Sequence, residues 1–253
     1  MTKKVVFVTG GATGIGKSLA IEFAKEGYDV AFSYRSNEAK ANAVLEEIKN
    51  HDAKAVAIKA DLREFSQISN MFCELQKHFE RLDVFVNNAG ITITSPFLET
   101  TEETFDCVCD VDFKGAYFCI QHAAKLMIEK DIKGSIVLIS SNNAFTHFGN
   151  VSAYAPVKMA ATKFAEHAAI ELAKYGIRVN TIAPGWTDTG AERLGNPADT
   201  YYKIPLKKWV NPKEIADTAM FLSSPAAASI TGATILMDNG ATLVCDKREK
   251  YGF

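Results

Sequence analysis

Short apolar runs rich in β-branched residues alternate along the chain with longer segments of helical periodicity, and no other feature constrains the fold as strongly. Such alternation predicts a parallel sheet covered by helices on both faces. A chain of 253 residues with 47% hydrophobic content can bury a full core. We therefore expect one domain, residues 1–253, with a doubly wound α/β fold of about seven strands. The predicted strands are Val5–Val8, Val30–Phe32, Ala55–Ile58, Val84–Val86, Ile136–Ile139, Arg178–Ile182 and Thr234–Met237.

A glycine-rich turn, residues 9–18, joins the first predicted strand to the first predicted helix. Read as G-x-x-x-x-G-K-S, residues 11–18 match the P-loop of nucleoside triphosphatases, in which Lys17 and Ser18 would meet phosphate and Mg²⁺. Read as T-G-x-x-x-G-x-G, residues 9–16 match a cradle for the pyrophosphate of a dinucleotide. Both interpretations use the same physics, because glycines let backbone N–H groups and a helix N-terminus approach phosphate oxygens. The turn alone leaves both open.

Composition argues against several classes of function. The 28 Lys and Arg residues nearly balance the 30 Asp and Glu residues, without runs of like charge, so we expect no nucleic-acid or membrane partner. Too few apolar residues precede the first strand for a signal peptide, and we expect a cytoplasmic protein. The five cysteines lack C-x-x-C spacing, and no histidine pair or carboxylate cluster has metal-ligand spacing. We therefore expect no disulfide, no metal, and cysteines buried as small apolar side chains.

Two helix starts carry capping signals. Thr100 and Glu103 have the spacing of a capping box. Asn211 offers an N-cap, followed by Pro212 at the first helical position and Glu214 at the third. Both signals predict where helices begin.

Tyr154 and Lys158 lie four residues apart, and so on one face of a helix that begins here. A tyrosine with its ordinary pKa of about 10 is a poor base at neutral pH, but an adjacent ammonium favours the phenolate. Ser141 comes thirteen residues before Tyr154, at the end of a predicted buried strand. Doubly wound sheets bind their ligands at that edge. The three residues together are typical of acid/base chemistry, although the Tyr-x-x-x-Lys spacing alone also occurs by chance.

These residues belong to a series of motifs that resembles the short-chain dehydrogenase/reductase family over essentially the whole chain. Within that family the pattern is similar to the 3-oxoacyl-(acyl-carrier-protein) reductases. The resemblance implies a Rossmann-type fold. The motifs, in order, are Thr9-Gly10-x-x-x-Gly14-Ile15-Gly16, Asp61-Leu62, Asn87-Asn88-Ala89-Gly90, Ser141, Tyr154-x-x-x-Lys158 and Pro184-Gly185-Trp186-Thr187-Asp188-Thr189.

The resemblance implies hydride transfer between a nicotinamide cofactor and a carbonyl/secondary alcohol pair. It implies that Tyr154 is the general acid/base, that Ser141 polarises the substrate oxygen, and that Lys158 holds the nicotinamide ribose and favours the phenolate. The resemblance allows a 3-oxoacyl thioester as the substrate or, alternatively, a sugar, polyol or hydroxysteroid. The cofactor residues it implies are Gly10, Thr13, Gly14, Ile15, Gly16, Asp61, Leu62, Asn88, Ala89, Gly90, Tyr154, Lys158, Pro184, Gly185, Thr187 and Thr189.

The two rival interpretations are weaker. A P-loop needs a second carboxylate for Mg²⁺ after a neighbouring apolar strand, and only the distant Asp238 follows one. The dinucleotide interpretation leaves Lys17 as a solvated residue of the first helix. A protein that senses NADP(H) without turnover is disfavoured because Ser141, Tyr154 and Lys158 are all present.

The end of the second predicted strand indicates the cofactor. A carboxylate there would bind the adenosine ribose and repel a 2′-phosphate, but the chain has Tyr34, Arg35 and Ser36. Arg35 can bind a phosphate with two N–H groups while Ser36 assists, so we predict NADP(H) over NAD(H). The alternative is a merely solvent-exposed arginine, since Thr13 stands where some NADP-dependent relatives carry a basic residue.

Asp112 departs from the pattern, because family members often carry asparagine at the matching position, where it is thought to hold a water in a proton relay. A carboxylate near Lys158 would oppose ionisation of Tyr154. We therefore add Asp112 to the catalytic candidates and expect a higher pH optimum for oxidation than in an Asp112→Asn variant. The alternative is that Asp112 caps a helix or turns to solvent.

The substrate side is predicted less sharply. A stretch of irregular composition, residues 188–209, is long for a connection and predicts a substrate lid. The resemblance also implies a homo-oligomer, commonly a tetramer, and the alanine-rich helix Met159–Lys174 has small residues suited to packing on two sides. The candidate substrate contacts are Asn143, Phe145, His147, Phe148 and Trp186.

Overall fold

A computed structural model of the chain describes residues 3–190 and 197–244. Seven parallel strands form one sheet in the order β3-β2-β1-β4-β5-β6-β7, so the predicted Rossmann-type α/β fold is confirmed. Each predicted strand is present, and five of them extend by one to three residues, some of them polar. The strands are β1 Val5–Val8, β2 Asp29–Tyr34, β3 Ala55–Lys59, β4 Val84–Asn87, β5 Ser135–Ile139, β6 Arg178–Pro184 and β7 Thr234–Met237.

The strand order reverses between β1 and β4, which lie side by side with Phe7 opposite Phe85. The connections that follow β1 and β4 run to opposite faces of the sheet. This leaves a crevice at the carboxyl ends of the two strands, where open α/β sheets bind ligands. The glycine-rich turn leaves β1 at this point, and residues 88–90 leave β4 beside it.

Helices cover both faces of the sheet. A π-helical turn over residues 110–115 joins α4 to α5 without a break. Helix α1 contacts both α2 and α7 on one face, and α5 contacts both α3 and α6 on the other. Their bounds are α1 Gly14–Lys25, α2 Glu38–Lys49, α3 Phe65–His78, α4 Glu102–Cys109, α5 Ala116–Glu129, α6 Tyr154–Leu172 and α7 Pro212–Ser223.

Alternating residues of β1 contribute to two separate hydrophobic cores, one on each face of the sheet. Val5 and Phe7 join the cluster under α3, α5 and α6, whereas Val6 and Val8 join the cluster under α1, α2 and α7. Because both faces of the strand are buried, every residue of the run is apolar. Fully buried apolar surface of this kind contributes about 25 cal/mol per Å² to stability.

The capping predictions had different outcomes. Asn211 accepts from the Lys213 N–H, and Glu214 completes the capping box of α7. The prediction for α4 was wrong by one residue: Thr101 is the N-cap and accepts from the Thr104 N–H. Thr100 instead donates its hydroxyl to the Pro96 carbonyl, and so belongs to the preceding 3₁₀ turn.

The prediction of buried cysteines was largely wrong. Cys119 on α5 is buried, but Cys73 is exposed and Cys107 and Cys109 are half-buried. Cys73 lies off the face of α3 that is buried, whereas Cys109 packs at the edge of the buried cluster around Val108. Cys245 falls outside the described residues. Within residues 3–190 and 197–244, no group of metal-binding side chains converges and no helix is long and apolar enough to cross a membrane.

Candidate active site

An open cleft of about 580 Å³ runs along the carboxyl edge of the sheet. It gathers most of the predicted cofactor residues from five separate segments of the chain. Pro184, Gly185 and Thr187, like Tyr154 and Lys158, do not line it. The predicted residues that line it are Gly10, Thr13, Gly14, Ile15, Gly16, Tyr34, Arg35, Ser36, Asp61, Leu62, Asn88, Ala89, Gly90 and Thr189.

The glycine-rich turn is locked to the end of β4. The Thr9 hydroxyl accepts from the N–H groups of Asn88 and Ala89, each at 3.0 Å. The Asn88 side chain donates back to the Thr9 carbonyl at 2.9 Å. A Cβ at Gly16 would lie 2.1 Å from the Gly10 carbonyl oxygen, so only glycine lets the first turn of α1 approach this closely. The turn thus forms a concave backbone surface at a helix N-terminus, where anions bind.

The opposite end of the cleft carries positive charge. Arg35 and Lys40 both line it, next to Tyr34 at the end of β2. Lys40 was not among the predicted cofactor residues. Asn37 is the signal in the sequence that could have indicated it, because its side chain caps α2 by accepting from the Lys40 N–H at 2.9 Å. Capping places Lys40 in the first turn of α2, beside the strand end.

Among the described residues, Asp61 is the one carboxylate that lines this end, and it is already paired. The Arg63 guanidinium donates to both carboxylate oxygens of Asp61. These hydrogen bonds lower the pKa of Asp61, against the smaller opposing effect of partial burial. Asp61 therefore adds little net negative charge to the region around Arg35 and Lys40.

Tyr154 and Lys158 lie in the first turns of α6, and Pro156 lies between them in the first turn, where a missing N–H is tolerated. Both side chains are buried, and the Lys158 Nζ lies 5.6 Å from the centre of the Tyr154 ring. The Nζ also lies 3.5 Å from the Ile139 carbonyl oxygen at the end of β5. The neighbouring Ser140 hydroxyl bonds the Thr162 hydroxyl at 2.7 Å and so ties β5 to α6. The fold thus brings Lys158 to the strand end that carries Ser141.

Asp112 is buried and forms an ion pair with Lys158, at 2.7 Å between Oδ1 and Nζ. The alternative that it caps a helix or turns to solvent is wrong, because the π-helical turn directs it inward. Burial opposes the charge on Lys158, but Asp112, with a smaller effect of Tyr154, outweighs burial and raises the pKa of Lys158. The ammonium is therefore held in its charged form.

Ser141 is held by Asn143. The Asn143 backbone N–H and its side-chain amide both donate to the Ser141 Oγ, at 3.2 and 3.1 Å. A hydroxyl oxygen has two acceptor positions, and these two bonds use both. The Ser141 proton is then free to be donated to another group.

The other predicted substrate residues divide into two sets. Phe148 and Trp186 meet edge to face with ring centres 5.1 Å apart, and the Lys203 ammonium lies 5.7 Å from the Trp186 ring. Phe145 and His147 are exposed.

The predicted lid, residues 188–209, is described in part. Residues 197–203 form a 3₁₀ helix rather than irregular chain, and Ile204 and Trp209 are buried beneath it. The Trp209 indole donates to the Thr200 hydroxyl at 2.7 Å. Residues 191–196 lie outside the described residues.

The residues required by a P-loop are engaged elsewhere. The Lys17 Nζ pairs with Glu47 of α2 at 2.9 Å. Asp238 follows β7, several strands away from the glycine-rich turn, and accepts from the N–H groups of Gly240 and Thr242. Neither side chain is placed to bind a phosphate-bound metal at the glycine-rich turn.

Comparison with known proteins agrees with this geometry. The family described as enoyl-(acyl carrier protein) reductase matches residues 10–242. The 3-oxoacyl-(acyl-carrier-protein) reductase FabG of Staphylococcus aureus is 37% identical over 245 residues, which is 95% of this chain and 98% of that protein.

Solved structures of two acetoin dehydrogenases are also similar. The Enterobacter cloacae enzyme superposes with a TM-score of 0.91 at 32% identity, covering 97% of this chain and 98% of the other. The Salmonella typhimurium enzyme gives 0.89 at 30% identity with the same coverage.

The fold, the sequence match and the structural matches define an oxidoreductase that acts on CH–OH/C=O groups with a nicotinamide cofactor. The chain belongs to the short-chain dehydrogenase/reductase family.

Proposed function

We propose that the protein is an NADP(H)-dependent reductase of a carbonyl substrate, with Ser141, Tyr154 and Lys158 as its catalytic residues. The observation that carries the proposal is the burial of Tyr154 and Lys158 on one face of α6, with the Lys158 ammonium beside Gly90 at the end of the long cleft. The Tyr154 phenol and the Lys158 ammonium therefore lie at one end of the cleft, at the carboxyl edge of the sheet.

The residues fit a dinucleotide. The backbone surface at Gly16 admits no side chain, and the cleft extends from there to Arg35 in one direction and Gly90 in the other. Residues 9–16 would hold the pyrophosphate, Arg35 with Lys40 the adenosine phosphate, and Lys158 the nicotinamide ribose. When bound, the nicotinamide supplies the hydride.

The protein's own residues handle the proton. In reduction, Tyr154 donates its phenolic proton to the carbonyl oxygen as negative charge develops there. Ser141 donates a hydrogen bond to the same oxygen, because Asn143 occupies both of its acceptor positions. The Lys158 charge stabilises the phenolate that remains on Tyr154.

A 2′-phosphate on the adenosine ribose is favoured by charge. Arg35 and Lys40 supply two cations, and Asp61 is neutralised by Arg63. The KM for NADPH and NADH tests this directly. We expect Arg35→Ala to raise the KM for NADPH by about tenfold or more and to change that for NADH little. A wild-type preference for NADH would contradict the proposal.

Two substrate classes have specific support. The 37% identity to FabG proteins favours a 3-oxoacyl thioester, whereas the two acetoin dehydrogenase structures favour a small hydroxyketone. The aromatic pair Phe148 and Trp186 suits an apolar chain or methyl group, and Lys203 beside it suits an anionic carrier. Residues 188–209 are proposed as the lid over this region.

The experiment is NADPH oxidation, followed by absorbance, with a panel of acyl thioesters, hydroxyketones, sugars and steroid ketones. The highest kcat/KM identifies the substrate class. If no carbonyl compound accelerates NADPH oxidation although NADPH binds, the NADP(H)-sensing alternative replaces the reductase. The expectations of a homo-oligomer and of a cytoplasmic location stay predictions.

A further inference from the structure

Asp238 is a buried carboxylate at the carboxyl end of β7, and both of its oxygens accept hydrogen bonds. Its Oδ1 accepts from the Gly240 N–H at 3.0 Å. Its Oδ2 accepts from the Thr242 N–H at 2.7 Å and from the Thr242 hydroxyl. An asparagine would turn an NH₂ group toward at least one of these donors, so the surroundings require an acceptor on both sides.

The same carboxylate reaches the segment that carries Ser141. The Asn142 side-chain amide donates to the Asp238 Oδ2 at 3.4 Å, and Asn142 is buried. Asn142 directly follows Ser141 and opens a 3₁₀ turn that Ser141 caps. We call residues 141–146 the Ser141 turn, which the Thr146 hydroxyl closes by donating to the Asn142 carbonyl at 2.9 Å.

Gly185 lets Asn142 and Asp238 meet across β6, which lies between β5 and β7 in the sheet. A Cβ at Gly185 would lie 2.7 Å from the Asp238 Cβ and 3.2 Å from the Asn142 Nδ2. A side chain there would therefore displace Asp238 and crowd Asn142. The Gly185 N–H also donates to the Met237 carbonyl at 3.0 Å, which fixes Gly185 to the end of β7.

The turn that the Asp238 carboxylate closes also supports the second half of the proposed lid. We call residues 204–209 the lid base. The Leu206 N–H donates to the Asn239 carbonyl at 3.2 Å, and the Asn239 side chain donates to the Lys208 carbonyl at 2.9 Å. The residue next to Asp238 thus holds the lid base by hydrogen bonds in both directions.

The lid base also packs directly on this turn. A Cβ at Gly240 would lie 3.0 Å from the Pro205 Cγ, so the two segments approach as closely as a glycine allows. They share a buried apolar cluster of Ile204, Trp209 and Ala241. A shift of the turn after β7 would therefore move the lid base with it.

We propose that Asp238 is a positioning residue that holds the lid base and the Ser141 turn as one unit, so that the place of the lid base and the direction of the Ser141 hydroxyl are set together. This inference rests on the proposed function, because it takes Ser141 as a catalytic residue and residues 188–209 as the lid. It goes further by assigning a role to a carboxylate that does not line the cofactor cleft.

The first test is hydrogen–deuterium exchange of the protein alone, which needs no substrate. Asp238→Asn is isosteric and leaves an NH₂ group facing a donor. We expect this to speed exchange about tenfold in both the Ser141 turn and the lid base. Asp217→Asn, which changes an exposed carboxylate on α7, is the matched control and should leave both segments at the wild-type rate.

Two variants of the Ser141 turn separate the link to Asp238 from local loosening. Asn142→Ala removes the amide that donates to Asp238, and should speed exchange in the lid base as well. Thr146→Val removes a hydroxyl hydrogen bond of the same turn but keeps the Asn142 side chain, so its faster exchange should be confined to the Ser141 turn.

Exchange at the wild-type rate in the lid base of both Asp238→Asn and Asn142→Ala would overturn the inference. An equal rise in every segment, β1 included, would also overturn it, because such a rise reports a loss of overall stability. Both outcomes would leave the reductase proposal intact.

The second test is steady-state kinetics with the best carbonyl substrate. We expect Asp238→Asn to lower kcat about tenfold and to raise the KM for that substrate, with NADPH affinity unchanged. In a Ser141→Ala background the fall in kcat should disappear, whereas the rise in KM should remain because the lid base is still loosened. An equal fall in kcat in both backgrounds would overturn the action through Ser141. Failure of the reductase proposal would show separately, as a Tyr154→Phe variant with wild-type kcat.

Discussion

At the scale of single residues, the hydroxyl of Ser141 has a defined direction. Asn143 donates two hydrogen bonds to it, so its proton must be donated elsewhere. The sequence placed Asn143 only among possible substrate contacts, because a hydrogen bond between residues two apart depends on the local backbone. The 3₁₀ turn at residues 142–144 creates that backbone.

We predict that Asn143→Ala lowers kcat by about tenfold with little change in KM, the effect of losing one hydrogen bond of about 1 kcal/mol or slightly more. In a Ser141→Ala background the same substitution should change kcat little, since the oriented group is already gone. Steady-state kinetics of the two single variants and the double variant measure this. If the fall in kcat of the double variant equals the product of the falls in the two single variants, Asn143 does not act through Ser141.

At the scale of secondary structure, the strands were predictable because each is an apolar run bounded by turns. The ends of the strands were harder to predict. Strand β4 continues into Asn87 and β6 into Pro184, and polar or turn-forming residues are not typical of a buried strand. The π-helical turn at residues 110–115 was not predicted, since one extra residue in a helical turn leaves no mark in the hydrophobic pattern. That turn is what directs Asp112 inward.

The corrected start of α4 gives a stability prediction. Thr101→Ala removes the side chain that accepts from the Thr104 N–H, and should lower the free energy of unfolding by about 1 kcal/mol. Thr100→Ala, the matched control, removes only an exposed hydroxyl bond to Pro96 and should cost less. Urea unfolding of both variants measures which substitution lowers the free energy of unfolding more. A larger loss of unfolding free energy for Thr100→Ala than for Thr101→Ala would show that Thr100 is the N-cap.

At the scale of the whole molecule, the sequence predicted which segments meet at the site but not every side chain there. Lys40 and the Asp61–Arg63 pair were missed or incompletely described, because contacts between segments distant in sequence follow from the assembled sheet. The family resemblance supplied the rest, since motifs in fixed order carry information that hydrophobic periodicity does not.

The outer surface of α5 and α6 supports the predicted homo-oligomer. Ile170 is 74% exposed, and Met159 and Tyr117 are also exposed on this side of the molecule. We predict that Ile170→Asp shifts the protein to a smaller species in sedimentation velocity. Lys49→Asp on α2, which changes a polar side chain that is 65% exposed, is the control and should leave the species unchanged. A monomeric wild type would refute the oligomer.

The central claim is that Tyr154 supplies the proton for a carbonyl reduction, and Tyr154→Phe tests it most directly. The measurement is kcat for NADPH-dependent reduction of the best substrate in the panel, alongside NADPH affinity by fluorescence titration. We predict a fall in kcat of about 10²–10⁴-fold, the usual contribution of a general acid, with NADPH affinity nearly unchanged. A variant that retains wild-type kcat would contradict the account.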